Sequence, residues 1–138
     1  MSENDSNSSD DHGIVTINSR FSFPETVEQL KSALQSHGIK LFAVIDQQAE
    51  ARAAGLEMFP LVLMIFGNPK AGTPLMLARP LAGLDLPLKA IVSEAKPGET
   101  LVSFNSTQYI LERHGLPKQL GPHIAAAERL IVAAMSDG

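Results

Sequence analysis

Six consecutive residues, Leu61-Val62-Leu63-Met64-Ile65-Phe66, carry no polar side chain and stand between Pro60 and Gly67. Side chains on a strand alternate between two faces, so this run is apolar on both and reads as a central strand of a sheet. It feeds directly into Phe66-Gly67-Asn68-Pro69-Lys70-Ala71-Gly72-Thr73-Pro74-Leu75-Met76. That stretch crowds two Gly, two Pro, an Asn, a Lys and a Thr before a second apolar segment begins. Such residues set special backbone angles, so the stretch reads as a rigid turn leaving the strand. Pro69 and Pro74 would fix its angles, and Asn68 would cap neighbouring backbone groups.

The remainder of the chain supplies partners for that strand. At 138 residues it is expected to form one domain. The first twelve residues, acidic and polar, read as a disordered tail, with the folded domain running from 13 to 138. Glu3, Asp5, Asp10 and Asp11 in the tail account for the whole formal charge of −4; taking those four acids from fifteen leaves eleven, against eleven bases. A neutral body has little attraction for a phosphate backbone, so no nucleic-acid partner is expected. The absence of cysteine excludes disulfides, thiolate zinc sites, iron–sulfur clusters and cysteine nucleophiles. The N-terminus lacks the basic start and apolar stretch of a signal peptide, and no run approaches the roughly twenty apolar residues of a membrane span. A cytoplasmic protein with no membrane partner is the expectation.

Ile14 to Asn18 alternates as a strand, with Val15 and Ile17 on one face. Ser22 and Glu25 have capping-box spacing, and Val27, Leu30, Ala33 and Leu34 mark the inner face of the helix that follows, which Gly38 should end. Ile39 to Ile45 reads as a strand with Ile39, Leu41, Ala43 and Ile45 on one side. Asp46 is placed to cap a short helix that Gly55 stops. Beyond Leu75, one or two helical turns are expected before Pro80. Leu88 to Glu94 and Thr100 to Phe104 form an antiparallel pair around Pro97-Gly98. A helix capped by Asn105 or Ser106 runs to Gly115, and an Ala-rich helix from His123 to Met135 closes the chain. The pattern predicts an α+β fold: a mostly antiparallel sheet of four or five strands with helices on one face.

Candidate chemistry centres on the stretch after the apolar run. Gly67 to Thr73 contains the parts of an anion cradle, namely glycines, a lysine and a following helix. It lacks the order of a Walker A loop, because Lys70 precedes Gly72 and no Lys-Ser/Thr pair follows. His37, His114 and His123 show no i, i+4 pair, and no metal or cofactor is expected. Ser93, Ser103 and Ser106 lie in no G-x-S-x-G context. An acid–base pair of Lys70 with His114, or a carboxylate pair of Asp85 with Glu94, requires folding to bring the two together. Asp85 more simply holds the turn before Pro87. Met64, Leu75, Met76, Leu77, Leu81, Leu84 and Leu86 read mainly as core, and otherwise as an apolar pocket or a dimer surface partly lined by adaptable Met.

Three motifs in this order, Phe66 to Met76, Asp85-Leu86-Pro87-Leu88-Lys89, and Phe104-Asn105 with Tyr109-Ile110-Leu111-Glu112-Arg113-His114, resemble the domain of unknown function 302 family. The resemblance covers Gly13 to about Met135. It implies a TATA-binding-protein-like arrangement, β-α-β(4)-α, and often a homodimer. It implies no reaction. Phe104 stands where the family often has Tyr, so a hydroxyl is missing there. Two functions are carried forward. One is a non-enzymatic, homodimeric module binding a small ligand or a protein partner. The other is an enzyme or binder for an anionic small molecule, held by Asn68, Lys70, Gly72 and Thr73 with Arg113 or His114 assisting.

Overall fold

Alternating apolar residues and well-placed caps form the elements in the computed structural model, which describes residues 12–136. The expected acidic tail lies outside the described residues, apart from an exposed His12. In chain order the elements are β1 (Ile14–Asn18), α1 (Phe23–Ser36), β2 (Lys40–Asp46), α2 (Gln47–Ala53), β3 (Leu61–Gly67) and α3 (Pro69–Ala78). A 3-10 turn, Pro80–Asp85, then leads into β4 (Leu88–Lys96), β5 (Glu99–Asn105), α4 (Thr107–His114) and, after a second 3-10 turn, α5 (Pro122–Ser136). The four strands after α1 follow in succession, as the family resemblance implied, but with α2 and α3 set between them.

The strands form one antiparallel sheet in the order β1-β5-β4-β3-β2. The β4–β5 hairpin turns at Gly98, whose φ of 81° suits glycine. The edge strand β1 joins β5 from the far end of the sequence, with Val15 opposite Phe104 and Ile17 opposite Val102. On the other face, Thr16 Oγ1 and Ser103 Oγ are 2.9 Å apart. The entry to β1 is keyed to α4. Gly13 O accepts the Ser106 N–H at 2.8 Å, and a Cβ at Gly13 would stand 2.4 Å from the Tyr109 ring.

One face of the sheet carries the main core. Val15, Ile17, Val62, Met64, Phe66, Val92, Val102 and Phe104 are buried there against Val27, Leu30 and Leu34 of α1 and Ala127, Ile131 and Met135 of α5. The capping box at α1 is complete, with Glu25 N–H donating to Ser22 Oγ and Ser22 N–H to Glu25 Oε1. Thr26 is buried beside these residues because its hydroxyl finds partners in Ser22 O and Ser19 Oγ, at 2.7 and 2.6 Å.

Two expectations about the sheet need correction. β3 is internal, but β4 is the middle strand, and only one face of β3 is fully covered. Its outward residues Leu61, Leu63 and Ile65 stay half-buried, as does their neighbour Ile91 on β4. In β2, one extra residue bulges between Leu41 and Ala43, so Leu41 pairs with Phe66 while Ala43 pairs with Ile65. Leu41 therefore shares the helix-covered face, whereas Ala43 and Ile45 lie on the outward face with Ile65 and Leu63. A bulge changes side-chain phase without changing the polar pattern, so the regular alternation assigned to this strand fails midway.

Candidate functional site

The Gly- and Pro-rich stretch after β3 is the start of a helix, where a turn was expected. Asn68 takes an extended conformation as N-cap, its side chain accepting the Lys70 N–H at 2.9 Å, and Pro69 occupies the first helical position, where no N–H is needed. Pro74 lies inside the helix and gives up one backbone bond. The fully buried Leu75 offsets that loss by packing with Ala82, Ile110, Leu116 and Ile124 in a second, smaller core. Local residue preferences read as breakers here because the stabilising contacts come from α4 and α5, far along the chain.

The helical conformation uses up the proposed anion cradle. Pro69 has no N–H, Lys70 gives its own to Asn68 Oδ1, and the N–H groups of Ala71 and Gly72 both donate to Asn68 O at 2.8 Å. Few donors are left at this helix start to meet a phosphate.

What opens beside it is a cleft of about 320 Å³ between α3, the end of β3, the Leu86-Pro87-Leu88 segment and the start of α5. Buried Leu75 and Ile124 form part of its lining, with Phe42, Pro69, Met76, Leu86, Pro87 and Leu88. Asn68, Thr73 and His123 supply its polar groups. Gly72 also lines it, and a Cβ there would meet nothing within 4 Å. Phe42 is held partly by a cation–π contact with Lys40 at 4.9 Å. A second hollow, about 440 Å³, shares Gly67, Asn68, Ala71, Leu88 and His123 with the first.

Of the candidates picked from sequence, Asn68, Gly72 and Thr73 come together at the cleft. Lys70 is exposed and absent from the lining. Arg113 and His114 are engaged elsewhere. His114 Nε2 lies 2.6 Å from Asp85 Oδ2, with only 5% of the His114 and 10% of the Asp85 side chain exposed, and Arg113 approaches the same oxygen at 3.2 Å. This cluster ties the 3-10 turn to the last turn of α4, where the Arg113 guanidinium also suits the helix dipole. Asp85 thus reaches across to another helix, where a role in its own turn was expected. Glu94 instead accepts the Gly98 N–H at 2.7 Å, so Asp85 and Glu94 are separately engaged. Among the described residues no group of three His, Asp or Glu could hold a metal ion.

Phe42, Pro87 and His123 were missed as lining residues. Phe42 reaches the cleft from the bulged strand β2, and His123 sits one residue into α5, 55 positions after Asn68. No local pattern links them. The Leu and Met assignments divide: Met64 and Leu75 are buried, Met76 and Leu86 line the cleft, and Leu77, Leu81 and Leu84 face solvent.

Comparison with known proteins agrees with this architecture. A solved uncharacterised conserved DUF302 protein from Bacillus stearothermophilus superposes with a TM-score of 0.75 over 89% of this chain and 95% of its own, at 20% identity. Curated relatives named fluoride-specific ion channel FluC 1, from Brucella suis and Brucella abortus, are each 40% identical over 106 residues. Those residues are 77% of this chain but only 42% and 39% of the respective relatives, so the chain spans about two-fifths of their length. The family described as domain of unknown function DUF302 matches residues 15–137, and with the three ordered motifs and the five-stranded fold in place, the chain belongs to the DUF302 family.

Proposed function

We propose that the chain is a binding module for a small, mainly apolar molecule held beside Asn68, and that it works as a homodimer. The cleft carries this reading. Its volume of about 320 Å³ is at the low end of small-molecule sites, which span roughly 300–1,000 Å³ and combine an apolar lining with a few placed polar groups. Asn68, Thr73 and His123 would take one polar end of such a molecule, while Phe42, Met76, Leu86 and Pro87 take its apolar body. The occupied N–H groups at the start of α3 and the position of Lys70 outside the lining favour this over a phosphate-bearing substrate. No reaction is assigned to the site. The homodimer rests on a different feature, the half-exposed row Leu61, Leu63, Ile65 and Ile91 on the outer face of the sheet, which a second copy could cover.

The curated relatives are named for fluoride conduction. A channel needs membrane-crossing segments, and no helix among the described residues here is long and apolar enough to be one. We therefore place the conducting part of those relatives in the length that this chain does not match, and propose no transport for this chain.

A thermal-shift titration with medium-chain aliphatic alcohols and acids, beside phosphate-bearing metabolites, tests the cleft. Saturating apolar ligand, at about a hundred times Kd, adds about 2.7 kcal/mol, and Gly72→Leu, which fills the cleft from α3, should remove that gain. A response to phosphate compounds alone, or one that Gly72→Leu leaves intact, refutes the assignment. Light scattering on the same samples reads the oligomeric state, and a strict monomer refutes the homodimer.

A further inference from the structure

Beyond Met76, which lines the cleft, the chain carries leucines that the fold leaves bare. Leu77 at the end of α3 is 80% exposed, and Leu81 and Leu84 on the following 3-10 turn are 73% and 66% exposed. Met76, which lines the cleft, is 36% exposed. Large apolar side chains usually lose water on folding, and three leucines this exposed within eight residues mark a contact surface rather than ordinary surface scatter.

The charged side chains near it in sequence are mostly basic. From Pro69 to Lys89 the charged residues are Lys70, Arg79, Asp85 and Lys89. The single acid is largely buried and spent on His114 and Arg113. Lys70, Arg79, Lys89 and Arg113 are all exposed. On α4 the exposed Glu112, whose carboxylate accepts from Gln108 at 3.0 Å, is the one acid set against these cations. The lobe therefore presents leucines beside Lys70, Arg79 and Lys89, three exposed cations that pair with no acid among the described residues, on a body whose overall charge is balanced, a combination that suits an anionic bilayer surface.

We infer that Leu77, Leu81 and Leu84 insert into the interfacial region of an anionic membrane, with Lys70 and Arg79 meeting lipid headgroups. That no helix among the described residues is long and apolar enough to cross a membrane is no obstacle, because the contact is peripheral: the side chains enter only the boundary between headgroups and acyl chains. The docked lobe would set the cleft mouth, through Met76, against the apolar phase. The inference goes beyond the ligand-binding reading and stands without it.

Vesicle flotation with the full chain tests it, using phosphatidylcholine with and without phosphatidylglycerol. The expected result is binding to the anionic vesicles, weaker binding to the neutral ones, and loss of binding as salt rises. The triple variant Leu77→Ser/Leu81→Ser/Leu84→Ser should weaken binding at least about tenfold while retaining the wild-type circular dichroism spectrum and unfolding midpoint. Arg79→Glu should weaken it on anionic vesicles alone. Gly72→Leu, which fills the cleft, should float as wild type does, so failure of the ligand reading and failure of this one can be told apart. No flotation with either vesicle, or flotation that the triple variant leaves intact, overturns the inference. So does a wild type that ignores vesicles while the triple variant converts a dimer to a monomer, since the surface would then belong to a second copy.

Discussion

The two cores of this molecule are built from similar residues under different rules. In the larger, strands β1, β3, β4 and β5 place every second residue against α1 and α5, and the periodic apolar residues become buried. In the smaller, formed by α3, the 3-10 turn, α4 and the start of α5, Leu75 and Ala82 are sealed while Leu77, Leu81 and Leu84 remain in water. Hydrophobicity alone thus does not decide burial; the face an element turns to its neighbours does. In the smaller core, built from a short helix and a 3-10 turn, the same residue type divides between packing and surface, and both the cleft and the leucine lobe adjoin it.

The contrast is sharpest within one helix. Leu75 is fully buried and Leu77, two positions on, is 80% exposed. Leu75→Ala should cost about 2–5 kcal/mol in urea unfolding, and Leu77→Ala less than about 0.5 kcal/mol. Similar losses from the two would mean that the lobe is packed as firmly as the larger core. A smaller effect is expected at the cluster joining the 3-10 turn to α4. Asp85→Ala leaves the buried His114 without its partner and should cost about 2 kcal/mol. Arg113→Ala removes only a half-exposed arm and should cost under about 1 kcal/mol. If the two cost the same, the His114 contact is not what holds the turn. One modest effect is a gain. Gly72 sits in a helix with open space where a Cβ would go, so Gly72→Ala should stabilise by about 0.5–1 kcal/mol, raising Tm by roughly 3 °C. A loss there would show that the start of α3 needs glycine.

Much of the larger core was legible from sequence. The Val15/Ile17 alternation, the Ser22–Glu25 box, the Asp46 cap and the Pro97-Gly98 hairpin are local signals, and each sits where its residues direct. The bulge at Phe42 was not legible, because an inserted residue leaves no mark in an unbroken apolar run. α3 was hidden by Pro74 and Gly72, whose local preferences lose to the burial of Leu75. For the cleft, Asn68, Gly72 and Thr73 could be picked out because unusual residues cluster there. His123 and Phe42 reach it only through tertiary packing.

The pairing of β1 with β5 bears on how the chain can be assembled. The Thr16–Ser103 hydroxyl contact spans 87 residues, and the entry to β1 is closed by Ser106 and Tyr109, further on still. During synthesis the first strand to emerge therefore has no hydrogen-bonding partner until nearly the whole sheet has been made. α1 and the β2–β3 pair can form early from nearby residues, whereas β1, at the opposite edge of the sheet, waits for β5. The earliest part of the fold to be translated is among the last to be secured.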